Sequence, residues 1–145
     1  MALTYALCEK CHQMNRVKLG SDKVPVCGAC KAPLPIHGAI VTGNDSSFQA
    51  LINKSPLPIV VDVWAPWCGP CRAFAPTFED FSVLCAGKII FLKLNSDENQ
   101  QTSGRLGIRG IPTIIIFNDG AEVTRQSGAI PREQFGYWLD QYLKY

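Results

Sequence analysis

Ile59-Val60-Val61-Asp62-Val63-Trp64-Ala65-Pro66-Trp67-Cys68-Gly69-Pro70-Cys71 decides how this chain is read. Its first six residues are an apolar run broken only by Asp62, as in a strand buried on both faces. After the second cysteine, Phe74, Phe78, Phe81 and Cys85 recur at helical spacing. Cys68 therefore follows a strand and opens a helix. There, unpaired backbone N–H groups and the positive end of the helix dipole favour a thiolate over a thiol. A free thiol, with a pKa of about 8.5, is mostly protonated at neutral pH. Cys71 lies one turn further in, poised to attack a disulfide formed at Cys68. Gly69 permits close approach, and Pro70 starts the helix without wasting an N–H. The pair reads as a redox-active dithiol. Half of a metal site is the competing reading, but it needs a second pair nearby. The one unused cysteine, Cys85, sits on the apolar stripe of the helix and reads as core.

Working outward, the chain alternates. Ala39-Ile40-Val41 is a short strand, and Phe48, Leu51 and Ile52 mark a helix that Asn44 or Asp45 caps. Lys88 to Asn95 is a second buried strand, and Glu98 to Leu106 a weaker helix ending at Gly107. Thr113 to Phe117, the turn Asn118-Asp119-Gly120 and Glu122 to Gln126 form a hairpin. Pro131 opens a last helix bearing Phe135, Trp138, Leu139 and Tyr142. Alternation followed by a hairpin implies an α/β fold, a mixed sheet with helices on both faces.

Residues 1 to 37 have a different texture. They carry Cys8-Glu-Lys-Cys11 and Cys27-Gly-Ala-Cys30, with fifteen residues between the pairs, and show no sustained period. Two such turns present four sulfurs to one tetrahedral ion, and the spacing falls within the zinc pattern. The segment is expected to bury little apolar surface, so metal is its staple. The predicted organisation is a zinc-binding four-cysteine module over residues 1–37 and a redox domain over residues 38–145. Three rival readings fare worse. Cys8-Glu-Lys-Cys11-His12 matches a haem-attachment signature but requires export, and no leader is visible. Two disulfides require an oxidising compartment. A nucleic-acid-binding ribbon predicts basic residues interleaved with aromatics, and Tyr5 is the one aromatic of the head.

Composition bounds the rest. The 145 residues are 47% apolar with net charge +2, which gives no pull toward nucleic acid or an anionic membrane. From Gly38 onward nine Lys/Arg face ten Asp/Glu, whereas the head has five against two. No stretch approaches the roughly 20 apolar residues of a membrane span. A cytoplasmic location is expected, where cysteines serve metals or catalysis more often than structural disulfides. Two charges stand in apolar strands. Asp62 needs either a partner or a proton, and Lys93 either a role or a route for snorkelling to solvent. Trp64 reads as core, and Trp67, in the loop, as a border of the substrate surface.

At Trp64-Ala65-Pro66-Trp67-Cys68-Gly69-Pro70-Cys71 the chain closely resembles the thioredoxin family, over about residues 38 to 145. Its head is similar to that of the zinc-carrying thioredoxin 2 type of bacteria. The resemblance implies the thioredoxin fold behind a small zinc-ribbon-like module, and a protein-disulfide reductase serving cell redox homeostasis and electron transport. It makes Cys68 the attacking nucleophile and Cys71 the resolving cysteine. It makes Ile111-Pro112-Thr113 the cis-proline loop that receives the substrate chain. Gly110, Gly128 and Ala129 then flank that surface, and Trp67, Gly69, Pro70, Ile111 and Pro112 complete it. Asp62 becomes the proton acceptor for Cys71, with Lys93 beside it, and Pro76 the kink of the long helix. The implied cofactors are one structural zinc per chain, on Cys8, Cys11, Cys27 and Cys30, and the redox-active disulfide Cys68–Cys71. The implied partners are disulfide-containing proteins and an NADPH-dependent thioredoxin reductase, with a monomer and no nucleic acid or membrane. The alternative is a zinc/thiol redox sensor or holdase whose thioredoxin-like domain only binds clients.

Overall fold

The computed structural model describes residues 3–144. The chain opens with an antiparallel hairpin, β1 (Leu3–Leu7) and β2 (Met14–Lys18). Then come β3 (Ile36–His37), β4 (Ile40–Thr42), α1 (Phe48–Lys54), β5 (Ile59–Trp64), α2 (Gly69–Leu84), β6 (Ile90–Asn95), α3 (Gln100–Arg105), β7 (Thr113–Asn118), β8 (Ala121–Ser127) and α4 (Arg132–Tyr142). Strands β3 to β8 form one six-stranded sheet in the order β3-β4-β6-β5-β7-β8. The centre, β4-β6-β5, is parallel; β3, β7 and β8 join antiparallel. From Ile40 onward the element order is the one the sequence predicts.

The apolar runs feed two cores because successive side chains point to opposite faces. Ile59, Val61 and Val63, with Ile90, Leu92, Leu94, Ile115 and Phe117, face one cluster together with Phe48, Leu51 and Ile52 of α1. Val60, Phe91, Ile114 and Ile116 face the other, against Phe74 and Phe78 of α2 and Phe135 and Leu139 of α4. This second cluster is built on aromatic edge-to-face pairs, with Phe74–Phe135 centroids 5.1 Å apart and Phe78–Phe91 5.0 Å apart. Cys85 is buried there, at the end of α2.

The head departs from expectation. Its residues were expected to bury little, yet Ala6, Leu7, Cys8, Val17, Cys27 and Leu34 are all buried in the first cluster, beside α1. The reason is tertiary: the hairpin covers apolar surface that α1, only 7 residues long, leaves open. Ile36 and His37 also pair with β4 and extend the main sheet. A second contact ties the pieces, as the Lys54 ammonium donates to the His12 carbonyl at 2.9 Å.

Capping differs in one detail. Asn44 organises the turn before α1, its Oδ1 accepting from the N–H groups of Ser46 and Ser47. Asp45 instead accepts from the Thr102 N–H at 2.9 Å, at the start of α3, while its own N–H donates to Asn99 Oδ1. That bond draws the Asp45 carboxyl below its ordinary pKa.

Candidate redox centre and thiolate cluster

Strand β5 ends at Trp64 and α2 begins at Gly69, so Cys68 stands at the helix N-cap. Its sulfur accepts from the Cys71 N–H at 3.2 Å, as a thiolate there would. Cys68 and Cys71 form a disulfide with Cα atoms 5.2 Å apart. Both are nearly covered, at 4% and 2% exposure, so the substrate must come to an edge of the bond rather than surround it. The Ile111-Pro112 peptide bond is cis, and the Ile111 carbonyl oxygen lies 3.8 Å from the Cys68 sulfur. Two bonds hold that loop: Thr113 Oγ1 donates to the Gly110 carbonyl at 2.6 Å, and the Gly128 N–H to the Pro112 carbonyl at 2.8 Å.

A cleft of about 530 Å³ opens beside Cys68. It brings together six of the residues singled out from sequence, namely Trp67, Cys68, Gly69, Pro70, Gly110 and Ile111. Pro112 is buried beneath it; Gly128 is exposed and tied to Pro112; Ala129 faces a neighbouring hollow instead. Trp67 is 67% exposed, but its indole N–H donates to Asp97 Oδ2 at 2.8 Å, which fixes an otherwise loose ring. Sequence reasoning missed Ser96, Ser103, Ile108 and Arg109, which complete the cleft. Ile108 and Arg109 immediately precede Gly110 and were within reach of the motif; the serines come from separate elements with no local signal. Another hollow, about 640 Å³, lies between residues 17–25, the β3–β4 turn and Val83 of α2, and no cysteine lines it.

Asp62 is 1% exposed, and neither carboxylate oxygen has a hydrogen-bond partner among the described residues. Burial pushes its pKa up to about 7, against a smaller downward pull from Lys93. It shares the sheet face of Val60, the face on which α2 packs. Lys93 is opposite it in the parallel β5–β6 register. The Lys93 ammonium lies 4.9 Å from the Trp64 ring centroid, a cation–π placement.

The four head cysteines converge. Their sulfurs all lie within 4.8 Å of one another, with Cys8–Cys30 and Cys11–Cys27 each at 3.6 Å. A zinc–sulfur bond of about 2.3 Å gives a tetrahedron with edges of about 3.8 Å, so the donor set fits zinc in chemistry and in size. Two equivalent turns build it. The Cys8 N–H donates to the Gln13 carbonyl and the His12 N–H to the Cys8 carbonyl. The Cys27 N–H donates to the Ala32 carbonyl and the Lys31 N–H to the Cys27 carbonyl in the same pattern. The residue after each second cysteine, His12 or Lys31, adopts positive φ, 60° and 67°. The Cys30 N–H, ahead of other donors, draws the Cys27 thiol down to about 6, while, against the pull of the Gln13 N–H, burial and the neighbouring sulfurs push the Cys11 thiol up.

The geometry agrees with known proteins. The thioredoxin family model matches residues 39–141. A thioredoxin of Haemophilus influenzae is 39% identical over 100 residues, covering 69% of this chain and 94% of that one. One from Synechocystis is 45% identical over the same extent. Thioredoxin C-3 of Corynebacterium nephridii is 36% identical over 140 residues, 95% of this chain and 94% of its own, so its similarity runs through the head. A mixed sheet with helices on both faces, a Cys-Gly-Pro-Cys disulfide at a helix start and these relatives lead to one conclusion: the chain belongs to the thioredoxin family and is a thiol–disulfide oxidoreductase.

Proposed function

We propose that the chain is a cytoplasmic, monomeric protein-disulfide reductase of the zinc-carrying thioredoxin 2 type. Residues 1–37 then act as a four-cysteine zinc module and residues 38–145 as the redox domain. The observation that carries the reading is Cys68 at the N-cap of α2, its sulfur bonded to the Cys71 N–H and beside the Ile111 carbonyl. In the reduced protein the Cys68 thiolate attacks one sulfur of a substrate disulfide. The substrate S–S bond breaks, one substrate thiol leaves with a proton, and a mixed disulfide forms. Cys71 gives its proton to Asp62, and its thiolate attacks the Cys68 sulfur. The second substrate thiol leaves, and the substrate has gained two electrons from the dithiol and two protons, one from Cys71 by way of Asp62 and one from solvent. The Cys68–Cys71 disulfide that remains is the state described above. A carboxyl poised near neutrality and buried on the α2 side of the sheet suits that proton transfer. Lys93 offsets its charge. Trp67, Gly69, Pro70, Gly110, Ile111, Pro112, Gly128 and Ala129 receive the substrate chain. An NADPH-dependent thioredoxin reductase returns the electrons, and neither nucleic acid nor membrane takes part.

Cys8, Cys11, Cys27 and Cys30 would hold one zinc, which when bound cross-links the two turns and quiets four thiols. No helix among the described residues is long and apolar enough to cross a membrane. Insulin-disulfide reduction with NADPH and thioredoxin reductase tests the reading. Turnover is expected from the wild type and none from Cys68→Ser. A wild type that binds disulfide proteins without reducing them would leave the client-binding alternative standing.

A further inference from the structure

The cleft beside Cys68 holds three polar side chains that the dithiol chemistry leaves unused. Ser96 follows β6, Ser103 lies in α3, and Arg109 sits in the loop leading to the cis bond. Among the described residues, Arg109 forms no ion pair and is the only charged side chain lining the cleft. The nearby carboxylate, Asp97, is engaged by the Trp67 indole. Ser96 uses its backbone N–H, on the Trp64 carbonyl, while its hydroxyl makes no bond. The Ser103 hydroxyl, though its residue lines the cleft, is itself covered by the protein and not open to a ligand. A free guanidinium fork beside the Ser96 hydroxyl in one cleft matches a carboxylate.

We infer that this cleft is a specificity subsite for a carboxylate: an Asp or Glu side chain next to the cysteine under attack, received by Arg109 with the Ser96 hydroxyl donating. The inference rests on the proposed reductase reading and adds which substrates it prefers. The test uses the full chain, kept reduced by NADPH and thioredoxin reductase, and amidated peptides whose single cysteine carries a 2-thiopyridyl disulfide. Cys68 attacks the peptide sulfur and 2-thiopyridone leaves; Cys71 then displaces the peptide thiol. Four peptides differ only in having Glu, Gln, Ala or Lys beside the cysteine.

In the wild type, kcat/KM for Glu should exceed that for Lys about fivefold at low salt, as one solvent-accessible charge contact allows. Most of that ratio should lie in KM, and added salt should shrink it. In Arg109→Glu the Glu-to-Lys ratio should invert. In Ser96→Ala the Glu-to-Ala ratio should fall. Because each ratio is taken within one protein, a general loss of activity cancels. Equal rates on all four peptides, or a ratio untouched by Arg109→Glu, overturn the subsite and leave the reductase reading intact. No thiopyridone release from any peptide overturns the reductase reading itself.

Discussion

Replacing Asp62 by Asn should change how stability depends on pH, with a size that follows from the site. The carboxyl is 1% exposed and unpaired, and its pKa rises from the ordinary 3.8 to about 7. In the unfolded chain it returns to the ordinary value. Between those two values the native state therefore holds a proton that the unfolded state has released, and stability falls as pH rises. A rise from 3.8 to about 7, at about 1.4 kcal/mol per pH unit, removes about 4 kcal/mol by the time pH passes the native value. Above it the loss is complete and constant; below the unfolded value it is absent. Asp62→Asn abolishes this contribution but buries an unpaired amide, at a cost of about 1–3 kcal/mol. The variant should thus equal or trail the wild type at about pH 5 and lead it at about pH 8. Urea unfolding of the oxidised protein at a series of pH values measures both. Taking the difference between variant and wild type cancels the contributions of the other groups. Parallel profiles across that range would refute the reasoning, because Asp62 would then not titrate where its burial puts it.

Four further outcomes follow. Cys71→Ser should accumulate mixed disulfides through Cys68, visible as mass adducts, whereas Cys68→Ser should trap little; equal trapping would reverse the assigned order of attack. Leu7→Ala, at a site 2% exposed in the main core, should cost about 2–5 kcal/mol in urea unfolding of the metal-loaded chain, and a loss under about 1 kcal/mol would deny that the hairpin shares that core. Asp97→Ala frees the Trp67 indole, so KM for protein disulfides should rise severalfold with little change in kcat, the effect of one lost hydrogen bond of about 1 kcal/mol. Metal analysis should find one zinc per chain, and its removal should lower the melting temperature while the six-stranded sheet still melts cooperatively; an unchanged melting temperature after zinc loss would detach the head from the fold's stability.

Strands β5, β6 and β7 are plain in the sequence because they feed cores on both faces and have almost no polar position. Only Asp62 and Lys93 interrupt β5 and β6 before their ends, and both prove to be special. The dithiol was equally legible, since a strand, a Cys-Gly-Pro-Cys turn and an apolar helical stripe are contiguous there. The head was legible in its four converging cysteines and opaque in its packing. Leu3–Leu7 and Met14–Lys18 show no period, since their burial comes from contact with α1 and the sheet rather than from local order. Asp45 was expected at the helix beside it, yet it serves α3, more than fifty residues on. The cleft was half legible. Trp67 to Pro70 and Gly110 to Ile111 belong to motifs, while Ser96 and Ser103 reach it only through the crossover between β6 and β7.

The two cysteine centres occupy opposite ends of the sheet. Cys68 follows the C-terminal end of β5. The head meets α1 at Lys54, just before β5 begins, and the Leu3 carbonyl lies against Gly87, just before β6 begins. Strand β5, with 6 residues and so about 20 Å long, runs from near the Lys54–His12 contact to the turn that carries Cys68. What the metal can do is mechanical. The hairpin contributes Leu7 and Val17 to the first core, and the cluster holds the turns that carry Leu34 and Ile36 against it. A zinc bound there would hold the same few residues that apolar burial holds, and each would limit how far the other must act. On the reading proposed above, substrate choice would then fall to the residues of the cleft that follows β5: Trp67, the loop of the cis Ile111-Pro112 bond, Ser96 and Arg109.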